Sequence, residues 1–140
     1  ANRAMGGAFL RHSSCRRSKG PTMPHSMPSK DTPDCIKACG ECASLCNQCS
    51  HHCLQMGGEH ASPEHQGIMR DCAEICGLAA CFMGRSSRHS GHMCRECAEI
   101  CNACAESCER LASGDEMMTR CADVCRRCAA SCEKMSAAAA

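Results

Sequence analysis

From residue 33 onward the chain repeats soft, apolar positions among polar ones in steps of three and four. The first such run is Cys35, Cys39, Cys42, Cys46, Cys49 and Cys53, with gaps of 4, 3, 4, 3 and 4. Another is Cys94, Cys97, Cys101, Cys104 and Cys108, with gaps of 3, 4, 3 and 4, and a third is Cys121, Cys125, Cys128 and Cys132, with gaps of 4, 3 and 4. Steps of this size keep side chains on one face of an α-helix. The runs are therefore a/d seams in which Cys stands where Leu normally would. Between them lies a seam of mixed character: His65, Met69, Cys72, Cys76, Ala79 and Met83. Met56, Leu111, Met118 and Met135 extend the seams at their ends. Cys81 breaks register: it follows Cys76 by five residues, about 140° around a helix, and is expected to face away. A second stripe of sparse aliphatics runs beside the seams, at Leu45, Ile68, Ile75, Phe82, Ile100 and Val124, and is expected to pack helix against helix.

Punctuation divides these seams into four helices. The first is predicted at about 33–56, with Thr32 as cap, Pro33 at the first helical position and Gly57-Gly58 as terminator. Ser62-Pro63 repeats the start signal, for a helix at about 63–83 closed by Gly84. The third is predicted at about 91–112, after the loop Arg85–Ser90, and the fourth at about 115–136, with Asp115 as cap. Four helices of this length with short loops predict an all-α fold, an antiparallel up-down-up-down four-helix bundle over residues 33–136 with a Cys-lined core. Residues 1–32 carry Arg3, Arg11, Arg16, Arg17, Lys19 and Lys30 against Asp31. They read as a flexible basic arm with at most a short helix near Ala4–Leu10, and residues 137–140 read as a tail.

Composition sharpens the role of the cysteines. Ile, Leu, Val and Phe together make only 12 of 140 residues, or about 9%, where less than about 20% ordinarily signals disorder. The net charge is nevertheless only +1, with 16 Lys+Arg against 15 Asp+Glu. Near-neutrality argues against self-repelling disorder and gives no reason to expect nucleic acid as a partner. No stretch of 18 apolar residues exists to span a membrane. Arg16-Arg17 is followed by Ser18-Lys19-Gly20-Pro21 and not by an apolar region, so no intact export signal is expected. Something other than aliphatic burial must hold this chain together: disulfides, metal, or buried thiols acting as small hydrophobes.

The geometry of the seams weighs between these. Neighbouring thiols at i,i+3 and i,i+4 point the same way and fit the near-perpendicular disulfide torsion poorly, and 19 cysteines is an odd number. Zinc sites place CxxC on turns and use isolated sets of four ligands, and four thiolates around Zn²⁺ leave an anionic site that is costly to bury repeatedly. Ferredoxin-type iron–sulfur runs close with Cys-Pro, absent from these seams. Cu(I) meets none of these objections. Soft thiolates select it, and each Cu⁺ that replaces one thiol proton adds no net charge. The 17 seam thiols thus predict multiple Cu(I) ions per chain, with sulfurs bridging between metals. Cys15 has no partner in register and is not expected to be a core ligand.

In an antiparallel bundle the end of the first helix, the start of the second, the end of the third and the start of the fourth share one mouth. Met56, His65, Met69 and Met118 fall there on inward seam positions and are expected as entrance or terminal ligands, since copper accepts imidazole and thioether. His51, His52 and His60 are expected to be solvated or helix-end residues. Met83 and Met135 are expected to plug the opposite end as core. Met23, His25 and Met27 lie in a Pro-rich stretch that reads as linker.

The segments CIKACGECASLCNQCSHHC, DCAEIC, CRECAEICNACAESC and CADVCRRCAASC resemble those of the bacterial copper storage proteins, the Cys-rich four-helix-bundle Cu(I) binders. The resemblance covers about residues 33–136. It implies a homotetramer, Cu(I) held by Cys35 to Cys53, Cys72, Cys76, Cys94 to Cys108 and Cys121 to Cys132, and non-thiol ligands at one mouth, near His65 and Met69. The high Cys count and missing export signal resemble the cytosolic branch. An exported protein whose leader has been removed is the alternative, and the long N-terminal arm departs from the family pattern. Copper storage without catalysis is the leading expectation. The alternatives are a metallochaperone working with donor or acceptor proteins, which needs one exposed exchangeable site, and sequestration of zinc or heavy metals. A thiol redox enzyme would need low-pKa thiols near the surface.

Overall fold

A computed structural model describes residues 29–138. The segment expected to be an arm lies outside the described residues up to position 28, and with it Cys15, Met23, His25, Met27 and the possible helix near Ala4–Leu10.

The described chain is four long helices: α1 (Thr32–Met56), α2 (Pro63–Gly84), α3 (Ser90–Ala112) and α4 (Glu116–Ala138). Each boundary falls within two residues of the sequence expectation and follows from the same punctuation. The Ser62 hydroxyl accepts the His65 N–H at 3.3 Å, so Ser62 caps α2 with Pro63 in the first turn. Asp115 Oδ1 accepts the Met118 N–H at 2.9 Å and caps α4. The α3–α4 turn passes through Ser113 (φ 42°) and Gly114 (φ 88°), where only glycine adopts the left-handed backbone freely. Two details differ. Asp31, not Thr32, occupies the cap position of α1 and makes no side-chain cap bond. Thr32 is instead drawn into the bundle end, with Oγ1 3.3 Å from Ser29 Oγ and 3.9 Å from Met135 Sδ. A short 3-10 turn, Gly58–Ala61, fills the α1–α2 connection where a plain loop was expected.

Around the bundle, α1 packs on α2 and α4, and α3 packs on α2 and α4, the arrangement of an antiparallel square with α1 and α3 on one diagonal. Leu45 and Val124 of the aliphatic stripe are buried, and Ile36, Ile68, Ile75 and Ile100 pack partly buried against the core. A further stripe was not read from the sequence. Ala73, Ala98, Ala105, Ala122 and Ala129, each directly after a seam cysteine, are buried between helices. Side-chain size at the contact sets how closely two helices approach. The repeated Cys-Ala dipeptides were the available signal.

Candidate metal centre

All 17 seam thiols, from Cys35 to Cys132, are buried with at most 1% exposure, and every described cysteine is a free thiol. Cys81 is exposed. The sulfurs touch across helices in one file. Cys35 and Cys39 both meet Cys132, at 3.7 and 3.6 Å, and Cys39 meets Cys128 at 3.7 Å. Cys128 meets Cys76 at 3.8 Å, and Cys76 meets Cys101 at 3.5 Å. Cys101 meets Cys72 at 3.7 Å, and Cys72 meets Cys42 at 3.8 Å. Cys42 meets Cys125 at 3.7 Å, and the file continues through Cys46, 3.6 Å from Cys125 and 3.9 Å from Cys121. Helix α2 supplies only Cys72 and Cys76, yet Cys72 touches sulfurs of all three other helices.

These contacts resolve into overlapping groups whose sulfurs all lie within 4.8 Å of one another. Examples are Cys39/Cys97/Cys128/Cys132, Cys76/Cys97/Cys101/Cys128, Cys42/Cys72/Cys76/Cys101 and Cys42/Cys46/Cys72/Cys125. Toward the α1 N-terminus the group thins to Cys35, Cys94 and Cys132, because the facing α2 position one turn beyond Cys76 is the buried Ala79. These groups overlap: each of the four-sulfur groups named shares members with the next. Metals held in adjacent groups would share sulfur ligands. The donor set is soft, enclosed and free of fixed charge, since Thr32 and His65 are the only buried polar residues among those described. Such a set fits a monovalent soft cation that exchanges for a proton.

At the mouth the donors change. His65 is fully buried, with Nε2 3.5 Å from Cys53 Sγ and Nδ1 2.8 Å from Ser107 Oγ. Burial lowers its pKa, with the His60 and Arg110 charges adding to the effect, so the ring is neutral and has a lone pair to offer. Met118 Sδ accepts from the thiols of Cys53 and Cys49 at 3.1 and 3.5 Å. Burial pushes the Cys53 thiol up to about 11, and Cys49 is raised too, by its contacts with Cys108 and Cys121 and by burial. These thiols are therefore protonated until a metal displaces the proton. Met69 is fully buried on the α2 seam between His65 and Cys72.

Met56, expected on the inward seam, is 46% exposed. It is the last residue of α1, and its level lies beyond the first turns of α2 and α4, where His65 and Met118 already face Cys53. Among the described residues, neither α2 nor α4 reaches that level to cover it. His52 and His60 fasten the mouth from outside: His52 Nε2 pairs with Asp115 Oδ2 at 2.8 Å, and His60 Nε2 meets the Leu111 carbonyl at 3.1 Å. Sequence reasoning missed Ser107 and the His52–Asp115 pair, whose partners are remote in sequence. The opposite end is closed by Met83 and Met135, the latter under Ser29 and Thr32.

Fold and site together define a helical bundle whose core is a continuous thiol metal-binding array. The profile of the copper storage protein family matches residues 29–137, and the chain belongs to that family. Among solved structures, the Nmul_A1745 protein of Nitrosospira multiformis is 44% identical, with a TM-score of 0.72, over 77% of this chain and 96% of that one. The Cu(I)-bound copper storage protein 3 of Bacillus subtilis is 33% identical, with a TM-score of 0.70, over 76% of this chain and 99% of that one. The Streptomyces lividans copper storage protein loaded with 10 copper equivalents is 26% identical, with a TM-score of 0.72, over 83% and 93%. No curated protein matches the sequence. None of the described helices is long and apolar enough to cross a membrane.

Proposed function

We propose that the chain stores Cu(I) as a bridged thiolate array inside the bundle, with no catalytic role of its own. The observation that carries this is the unbroken sulfur file through overlapping groups. One ion per isolated site would suit a chaperone; shared sulfurs suit many ions of one kind. The ligands in this reading are Cys35, Cys39, Cys42, Cys46, Cys49, Cys53, Cys72, Cys76, Cys94, Cys97, Cys101, Cys104, Cys108, Cys121, Cys125, Cys128 and Cys132, with His65, Met69 and Met118 at the mouth. Met56 lies outside this set. The family likeness supports a homotetramer, and likeness to the Streptomyces lividans protein, described as cytosolic, supports a cytoplasmic location, where reducing conditions keep thiols free. Copper donor and acceptor proteins would act at the His65 end.

The test is titration of the fully reduced chain with Cu(I) against a competing chelator, with released protons counted. Uptake should approach the number of buried thiols, with about one proton released per ion. Tight uptake that stops at one or two ions refutes storage.

A further inference from the structure

The imidazole at the mouth is useful to copper only in one tautomer. A neutral histidine has one donor nitrogen and one acceptor nitrogen, and the partner of the first decides which way the second presents its lone pair. His65 Nε2 faces Cys53 Sγ at 3.5 Å and is the nitrogen that looks into the sulfur file. Nδ1 faces Ser107 Oγ on α3, at 2.8 Å, the only hydroxyl within hydrogen-bond reach of it among the described residues. Ser107 is half-buried while the ring is fully buried, so the hydroxyl can accept the Nδ1–H and direct its own proton to solvent. Ring and thioether meet at one thiol: Met118 Sδ lies 3.1 Å from the same Cys53 sulfur. A ring that turned about its Cβ–Cγ bond would take Nε2 away from the Cys53 sulfur.

We propose that Ser107 is a positioning residue for copper uptake: its hydroxyl accepts the Nδ1–H of His65 and holds the Nε2 lone pair toward the Cys53 sulfur. It touches no copper. Its action passes through His65, as outer partners of metal-bound histidines act generally by fixing tautomer and ring orientation. The inference rests on the storage reading and on His65 being a ligand in it.

Sequence alone makes Ser107 an ordinary polar residue next to a seam cysteine. Alanine there is a better helix former, so Ser107→Ala is expected to fold, and a loss on substitution is not a loss of the bundle. The experiment uses the full, reduced chain and delivers Cu(I) as its bathocuproine disulfonate complex. The initial uptake rate, the total capacity and the long-range ¹H–¹⁵N NMR pattern of His65 are followed in wild type, Ser107→Ala, Ser107→Thr, His65→Ala and the Ser107→Ala/His65→Ala double variant. Ser107→Ala should slow uptake about tenfold, the low end of what outer partners of metal-bound histidines contribute, at unchanged capacity. The His65 signals should change from a single Nδ1–H, Nε2-ligated pattern to a mixed one, and Ser107→Thr should restore both rate and pattern. In the His65→Ala background, removing Ser107 should change nothing further. Equal slowing with and without His65, or an unaltered rate and NMR pattern in Ser107→Ala, overturns the positioning role. Wild-type capacity of only one or two ions would instead refute the storage reading on which it rests.

Discussion

Two cysteines of α2, five residues apart, offer a direct comparison of a thiol inside the array with one outside it. Cys76 is fully buried, and its sulfur lies 3.5 Å from Cys101, 3.6 Å from Cys97 and 3.8 Å from Cys128. It belongs to two of the four-sulfur groups. Cys81 is exposed on the other side of the same helix. Cys76→Ala removes one buried heavy atom, comparable to a methylene, and leaves a small void; transfer and cavity terms together come to about 1 kcal/mol in the copper-free protein. For a domain of this size that lowers the melting temperature by about 5 °C. The copper effect should be larger in kind. Deleting a sulfur shared by two groups should reduce capacity by about one to two ions, because each Cu(I) needs two or three sulfurs and the neighbours cannot replace the bridge. Cys81→Ala should leave capacity unchanged and stability within about 0.5 kcal/mol. Calorimetric melting of the reduced apo forms and Cu(I) titration of each variant measure both quantities. Equal loss of capacity in the two variants, or full capacity in Cys76→Ala, would refute the argument that the inward sulfur file is the reservoir.

Two further substitutions probe the scaffold that holds the file in register. Asp115→Ala removes the α4 cap and should cost about 1 kcal/mol at neutral pH. The Met118 N–H and then His52 hold the Asp115 carboxyl below its usual value, so its contribution is present above the ordinary carboxylate pKa and is lost as pH falls through the depressed folded value. The difference in melting temperature between wild type and variant should shrink in acid; a constant gap down to low pH would show that the cap does not act through the carboxylate. Gly114→Ala places a side chain at φ 88° with nothing within 4 Å of the new Cβ, so the cost is backbone strain alone, about 1–2 kcal/mol. Gly40→Ala, also in open space but inside α1, should stabilise by about 0.5–1 kcal/mol. Reversal of those signs in thermal melts would contradict the turn geometry.

Much of this was legible in the chain because a helix converts sequence spacing into direction. Once Cys recurs at three and four, every such thiol must lie on one face, and the placement of Cys81 outside that face follows from the same arithmetic. The error at Met56 shows where the arithmetic stops. Its spacing from Cys53 continues the seam, but inward pointing buries a residue only if another helix reaches the same level, and at that level α2 and α4 have not begun. The Cys-Ala repeats carried a packing signal that spacing rules for large apolar residues pass over.

The sequence by itself determined the four helices, their punctuation, the inward direction of 17 thiols and the soft donor chemistry at one end, since each depends on residues within a few positions of one another. Tertiary structure alone decided which sulfurs share a metal-sized group, why the array thins to three sulfurs opposite Ala79, and that Ser107 on α3 and Asp115 at the cap of α4 reach His65 and His52. Those are distances between helices. They depend on the register imposed by the turns and on how closely the buried alanines let the helices approach, neither of which local spacing encodes.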